Sequence, residues 1–103
     1  MATYRFSLSA EGDLEGILAY SIDEWGIVQA ARYRDQLVGC CELIAQQTVL
    51  GRSCDDVRPG YLRIQEGRHV VFFKRDAVGV LIVRILHDRM DPFRHIEDDD
   101  EDE

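Results

Sequence analysis

The chain has 103 residues, enough for one domain with a modest core and too few for two. Its formal charge of -8 is a poor guide to its surface, because Glu97-Asp98-Asp99-Asp100-Glu101-Asp102-Glu103 holds seven of the 20 acids; residues 1–96 carry 13 acids against 12 Arg and Lys. A near-neutral body whose only lysine is Lys74 argues against strong binding to a phosphate backbone, and the lack of any apolar run of ~20 residues excludes a helical membrane span.

Thr3 to Leu8 alternates Tyr4, Phe6 and Leu8 against Thr3, Arg5 and Ser7, the period of a half-buried strand. No signal-peptide core is present there, and a cytoplasmic location is expected. Ser9 is the expected N-cap of a helix, with Glu11 and Asp13 in its first turn, where the helix dipole favours negative charge. The apolar stripe Leu14, Ile17, Leu18, Ser21 and Trp25 follows, and Gly26 is the expected terminator. A second helix is predicted from Ile27 to about Thr48, with Ile27, Ala30, Tyr33, Leu37, Cys41, Ile44 and Ala45 on its buried side. Cys40, Cys41 and Cys54 have no metal-ligand spacing and read as small buried hydrophobes in a reducing compartment.

Val49 to Asp56 reads as a loop, and Asp55-Asp56 as loop charge rather than a cation site. Pro59-Gly60 marks a strand entry, after which Leu62 and Ile64 alternate with Tyr61, Arg63 and Gln65. Two apolar runs, Val70 to Phe73 and Val80 to Leu86, flank the charged, glycine-ended segment Lys74 to Gly79, the pattern of a β-hairpin. Alternation places Val71 with Phe73 on one face, and Leu81, Val83 and Ile85 together on one face of the second strand. The order β-α-α-β-β-β gives an α+β domain over residues 1–96, a helical hairpin packed on an antiparallel sheet, followed by an acidic, disordered tail, 97–103.

This ordered set resembles the ParE toxin family of the ParE/RelE superfamily. The residues that carry the resemblance span 4 to 96: Asp13-Leu14 with Ile17 and Tyr20, Trp25-Gly26, Ala30 with Tyr33 and Leu37, Gly51, Arg58-Pro59-Gly60-Tyr61-Leu62-Arg63, His69 to Phe73, and Arg84-Ile85-Leu86-His87-Asp88-Arg89-Met90-Asp91. The acidic tail departs from the family's usual ending. The resemblance implies a toxin of a type II toxin–antitoxin module that inhibits DNA gyrase without catalysis, and needs no cofactor or metal. It also implies neutralisation by a ParD-like antitoxin, in a heterotetramer or larger complex, with no membrane partner and no sequence-specific nucleic-acid binding. The ribosomal RelE branch, which cuts messenger RNA, is the alternative, with Arg63, Arg84 and His87 as cationic and proton-transfer groups.

Antitoxin or target contacts are expected from Trp25, Tyr61, Arg63, Phe72, Arg84, His87, Arg89 and Phe93. Arg63, Arg84, Tyr61, Phe72 and Lys74 are assigned to the sheet face away from the helices. Arg84 lies inside an apolar run and is expected to meet a carboxylate or phosphate, either Asp88 or Asp91 or an acidic antitoxin segment. His87 is expected to bond Asp88, and Trp25 to pack in the helical hairpin. Because the central strands are apolar on both faces and two helices cover only one, the far face is expected to be a partner surface.

Overall fold

The computed structural model describes residues 3–96, so the acidic segment 97–103 lies outside the described residues. Five strands form one mixed sheet: β1 (Tyr4–Phe6), β2 (Arg52–Ser53), β3 (Leu62–Glu66), β4 (His69–Arg75) and β5 (Val80–His87), in spatial order β1-β5-β4-β3-β2. β1 runs parallel to β5, and the other pairings are antiparallel. Between β1 and β2 the chain forms a hairpin of α1 (Leu8–Trp25) and α2 (Ile27–Gln46), and after β5 a single turn, α3 (Pro92–His95). The predicted α+β architecture is therefore present. β2 lies inside the segment expected to be a loop.

The N-cap is Ser7 rather than Ser9: its hydroxyl accepts the Ala10 N–H at 3.0 Å and donates to the Val83 carbonyl at 2.7 Å. The helix starts two residues early because Ser7 is fully buried against β5, where its hydroxyl satisfies both the helix and the strand. At the other end Gly26, with φ of 85°, is the whole link between α1 and α2, a conformation that disfavours any residue with a Cβ. The last turn of α1 and the first of α2 carry exposed apolar residues, Ile22, Trp25, Ile27 and Val28. Trp25 is accordingly 58% exposed, its ring edge-to-face with Tyr20, and Ile27 is exposed as well, contrary to the inward placement both were given above.

The helix-side core joins Ala10, Leu37, Cys40, Cys41 and Ile44 to Val71, Phe73, Val80, Ile82 and Ile85. Strict alternation fails in β5. Phe72 pairs with Arg84 and Phe73 with Ile82, so Val83 is an extra residue, a β-bulge. Ile85 is thereby moved to the helix side with Ile82, while Leu81, Val83 and Leu86 face the other way. On that far face Cys54, Val57, Tyr61 and Ile96 pack over Phe72, Leu81, Val83 and Leu86. The chain covers this face itself, with the 54–61 loop and the segment after α3, so the bare apolar sheet face expected from two helices alone does not exist. Asp55 belongs to that cover, accepting the Gly60 N–H at 2.8 Å.

All three cysteines are buried free thiols, and burial pushes Cys40 up to about 11 and Cys41 up to about 12. They stay protonated and act as core atoms. No described helix is long and apolar enough to cross a membrane. The end of α2 is held by one side chain: Arg75 donates to the carbonyls of Ile44 (2.9 Å), Gln47 (2.9 Å) and Leu50 (3.2 Å) while lying over the Phe73 ring. Arg75→Ala is expected to lower unfolding free energy by about 2 kcal/mol. Arg75→Lys should restore only part of it, since a compact ammonium does not span three acceptors; urea denaturation of the three chains measures both effects.

Candidate functional site

Beyond Ile82 the edge of β5 has no strand beside it, because β1 ends at Phe6. α1 supplies the missing partners. The Asp13 carboxylate accepts the Ile85 N–H at 2.9 Å and grips Arg84 with both oxygens, Nε at 2.7 Å and Nη2 at 2.9 Å. Arg84 Nη1 donates to the His95 carbonyl. Both side chains are largely shielded, 17% exposed for Arg84 and 15% for Asp13. The expected carboxylate partner of Arg84 therefore exists, but it is Asp13, 71 residues away, rather than Asp88 or Asp91. A fork of guanidinium donors matched to one carboxylate fixes α1 against the bulged strand.

This clamp forms one wall of an open groove of about 780 Å³ between the helical hairpin and the ends of β4 and β5. From α1 come Gly12, Gly16, Ile17, Tyr20 and Trp25, from α2 Gln29 and Tyr33, from the sheet Arg68, His69 and Ile85 to His87, and beyond it Met90 and His95. Gly12 and Gly16 lie one helical turn apart, and a Cβ built on either would meet nothing within 4 Å. Their lack of side chains leaves room in the groove rather than relieving an internal clash.

At its inner end Tyr33 reaches from α2 to the β3–β4 turn. Its hydroxyl lies 2.6 Å from His69 Nδ1, accepts the Arg68 N–H at 3.1 Å and lies 3.3 Å from the Glu66 carbonyl. A Cβ on Gly67 would fall 2.7 Å from the Tyr33 ring, so this turn must be glycine. The ring of His69 packs edge-to-face on that of His87, its register partner. Burial first, and the neighbouring His87 second, push the His69 pKa below its ordinary value. His87 Nδ1 lies 3.2 Å from Asp88 Oδ1, the contact expected from the sequence, and also 3.2 Å from the Arg89 N–H.

Of the eight contact residues expected from the sequence, Trp25, Arg84 and His87 line the groove. Tyr61 and Phe72, 1% and 2% exposed, are far-face core residues and are closed to a partner. Arg63 is exposed on β3, on the other side of the sheet, while the Arg84 guanidinium is turned to α1, so Arg63, Arg84 and His87 are not brought together as the nuclease reading requires. Arg89 and Phe93 are exposed beside the groove's end, outside its lining. Gly12, Gly16, Tyr20, Arg68, His69 and Met90 line the groove without having been named as contacts from the sequence; Tyr20, His69 and Met90 lie in the motifs that carry the family resemblance, and the helical spacing of the glycine pair was a further signal.

A family model described as the ParE toxin of the type II toxin–antitoxin system, parDE, matches residues 4–92. The chain is 41% identical over 96 residues to Toxin ParE1 of Caulobacter vibrioides, covering 93% of this chain and 99% of that one. It is 36% identical to Toxin ParE1 of Mycobacterium tuberculosis over 94 residues, 90% of this chain and 96% of the relative. A chain in a solved structure of the chromosomal ParDE system of P. aeruginosa shares the fold, with a TM-score of 0.72 at 18% identity over 84% of this chain and 96% of that one.

Asp13→Ala leaves a shielded guanidinium and the Ile85 N–H without their acceptor, and is expected to cost about 3 kcal/mol. Combined with Arg84→Leu the loss should fall short of the sum of the single losses by about 1–3 kcal/mol, read from a double-mutant cycle in urea. A separate pH effect follows from His69. Its folded pKa lies below the 6.5 of an unfolded chain, so the unfolded chain takes up the proton first on acidification. Stability is full above 6.5 and falls as the pH drops toward the folded value; His69→Gln should flatten this decline in urea midpoints taken between about pH 5 and 8.

Proposed function

The chain belongs to the ParE toxin family of type II toxin–antitoxin systems, and on that premise we propose that it inhibits DNA gyrase as a binding protein and is silenced by a ParD-like antitoxin seated in the groove. The observation that carries this reading is the placement of uncovered apolar surface. Both sheet faces are closed by the chain's own residues, yet Tyr20 and Trp25 stand exposed in the lining of the groove, and Ile22, Ile27 and Val28 are exposed around the same helix–helix link. Contiguous apolar surface of this kind marks a protein interface, and a groove between helices and a sheet end suits an amphipathic helix or strand from a partner. Trp25 and Tyr20 are the residue types that anchor such contacts.

A non-catalytic action is supported by the separation of the candidate nuclease groups. Arg84 is committed to Asp13 and the His95 carbonyl, and Arg63 lies across the sheet, so Arg63, Arg84 and His87 do not converge on one phosphate. The near-neutral body with a single lysine also offers little for docking on ribosomal RNA. A cytoplasmic site of action, where gyrase works, is part of the same proposal.

Expression without antitoxin is expected to produce filamentous cells with damaged DNA and an intact message pool. Cleaved messages with arrested translation would select the nuclease reading instead. For the groove, Gly16→Leu starts from a Cβ that meets nothing within 4 Å and replaces the poorest ordinary helix former, so the toxin should be about as stable as the parent. Its affinity for the co-encoded antitoxin should nevertheless fall tenfold or more in a titration; undiminished affinity would move the antitoxin elsewhere.

A further inference from the structure

We propose that His69 and His87 form a two-histidine chelate for a divalent transition-metal ion, zinc above all, on the sheet wall of the groove. The pairing depends on the bulge. Counting back from the β4–β5 turn, where Arg75 pairs with Val80, a regular ladder would set His69 opposite Leu86; the extra residue, Val83, moves His87 into that place instead. Directly opposed residues of an antiparallel pair bring their Cβ atoms within about 5 Å, close enough for two imidazoles to share one ion.

The ring centroids are 5.4 Å apart. Two imidazoles each bound through one nitrogen to a tetrahedral zinc, with Zn–N near 2.0–2.1 Å, have ring centres separated by about 5 Å, so the backbone already sets the required spacing. The rings now pack edge-to-face at 79°. Aiming both at a common point needs rotation about χ2, a broad torsion in histidine.

The hydrogen bonds leave the right atoms open. His69 Nδ1 is held by the Tyr33 hydroxyl and His87 Nδ1 by Asp88 and the Arg89 N–H. Among the described residues neither Nε2 atom has a hydrogen-bond partner, neither is a buried orphan, and both rings line the groove. One ring nitrogen anchored by a hydroxyl or carboxylate and the other facing open space is the arrangement of metal-binding histidines. Metal at Nε2 requires the Nδ1–H tautomer on both rings. His69 then donates to Tyr33, whose proton turns to the Glu66 carbonyl, 3.3 Å away, and His87 donates to Asp88, giving up the Arg89 N–H that its Nδ1 accepts in this structure at 3.2 Å. Burial also keeps His69 in the neutral form that ligates metals at neutral pH. Among the described residues no third His, Cys, Asp or Glu completes a protein-only cluster, so water or a donor from the groove's occupant takes the remaining positions.

The test uses the purified full chain, stripped with a chelator and titrated with zinc against a chromophoric competitor, and does not depend on what the toxin inhibits. One equivalent of zinc should bind, with the Nε2 resonances of His69 and His87 shifting together in histidine NMR. His69→Gln and His87→Gln should each weaken binding tenfold or more, Tyr33→Phe by about tenfold through loss of the anchored tautomer, and His95→Gln should leave it unchanged. If His69→Gln fails to fold by circular dichroism, His87→Gln decides. Absence of stoichiometric binding, equal affinity in His87→Gln, or loss confined to His95→Gln would each overturn the proposal.

Discussion

The fold depends on one carboxylate placed where a strand stops. β1 is too short to cover the edge of β5, and a row of unpaired backbone groups beside the first helix would be costly to bury. Ser7 and Asp13 answer that constraint from α1: the serine hydroxyl takes the Val83 carbonyl, and the aspartate takes the Ile85 N–H and the Arg84 fork. The helix thereby serves as a continuation of the sheet edge. Its orientation is set by hydrogen bonds of defined direction, which apolar contact alone does not supply.

From that fixed edge the rest of the groove follows. With α1 pinned near its start, its glycine pair and aromatic end stand away from the sheet, and α2, tied through Tyr33 to the β3–β4 turn, forms the opposite wall. The bulge that makes room for the clamp also exchanges the faces of the strand residues after it. Ile85 enters the helix-side core, and His87 comes opposite His69. One inserted residue thus connects the packing of the core, the location of the charged pair and the composition of the groove wall.

Much of this was legible in the sequence. The central hairpin, the helix pair broken at Gly26 and the α+β order follow from periodicity and turn residues, and the family likeness follows from motifs spread over that order. The anomaly of an arginine inside Val80 to Leu86 also correctly called for a carboxylate. What periodicity does not encode is the bulge, since Val83 and Arg84 are both compatible with a regular strand; without it the faces of Ile85 and His87 are misassigned. The far-face cover was missed for a related reason. Cys54, Val57, Tyr61 and Ile96 come from irregular segments with no period to read, so their packing is visible only in three dimensions. Trp25 was misplaced because helical spacing locates a stripe without saying where the sheet beneath it ends.

The pairing of the first strand with the last has a consequence for synthesis. Tyr4 to Phe6 meet Val80 to Ile82, and Asp13 reaches Arg84, so the hydrogen bonds that tie the leading segment to the sheet span more than 70 residues. On the ribosome the hairpin of helices emerges early, but β5, the strand that holds the start of its first helix, is made only from residue 80 onward. A product aborted before the codon for Arg84 lacks the clamp on Asp13 and the second half of β5. Maturation is in this sense late: the polypeptide completes its groove only in its final stage of manufacture.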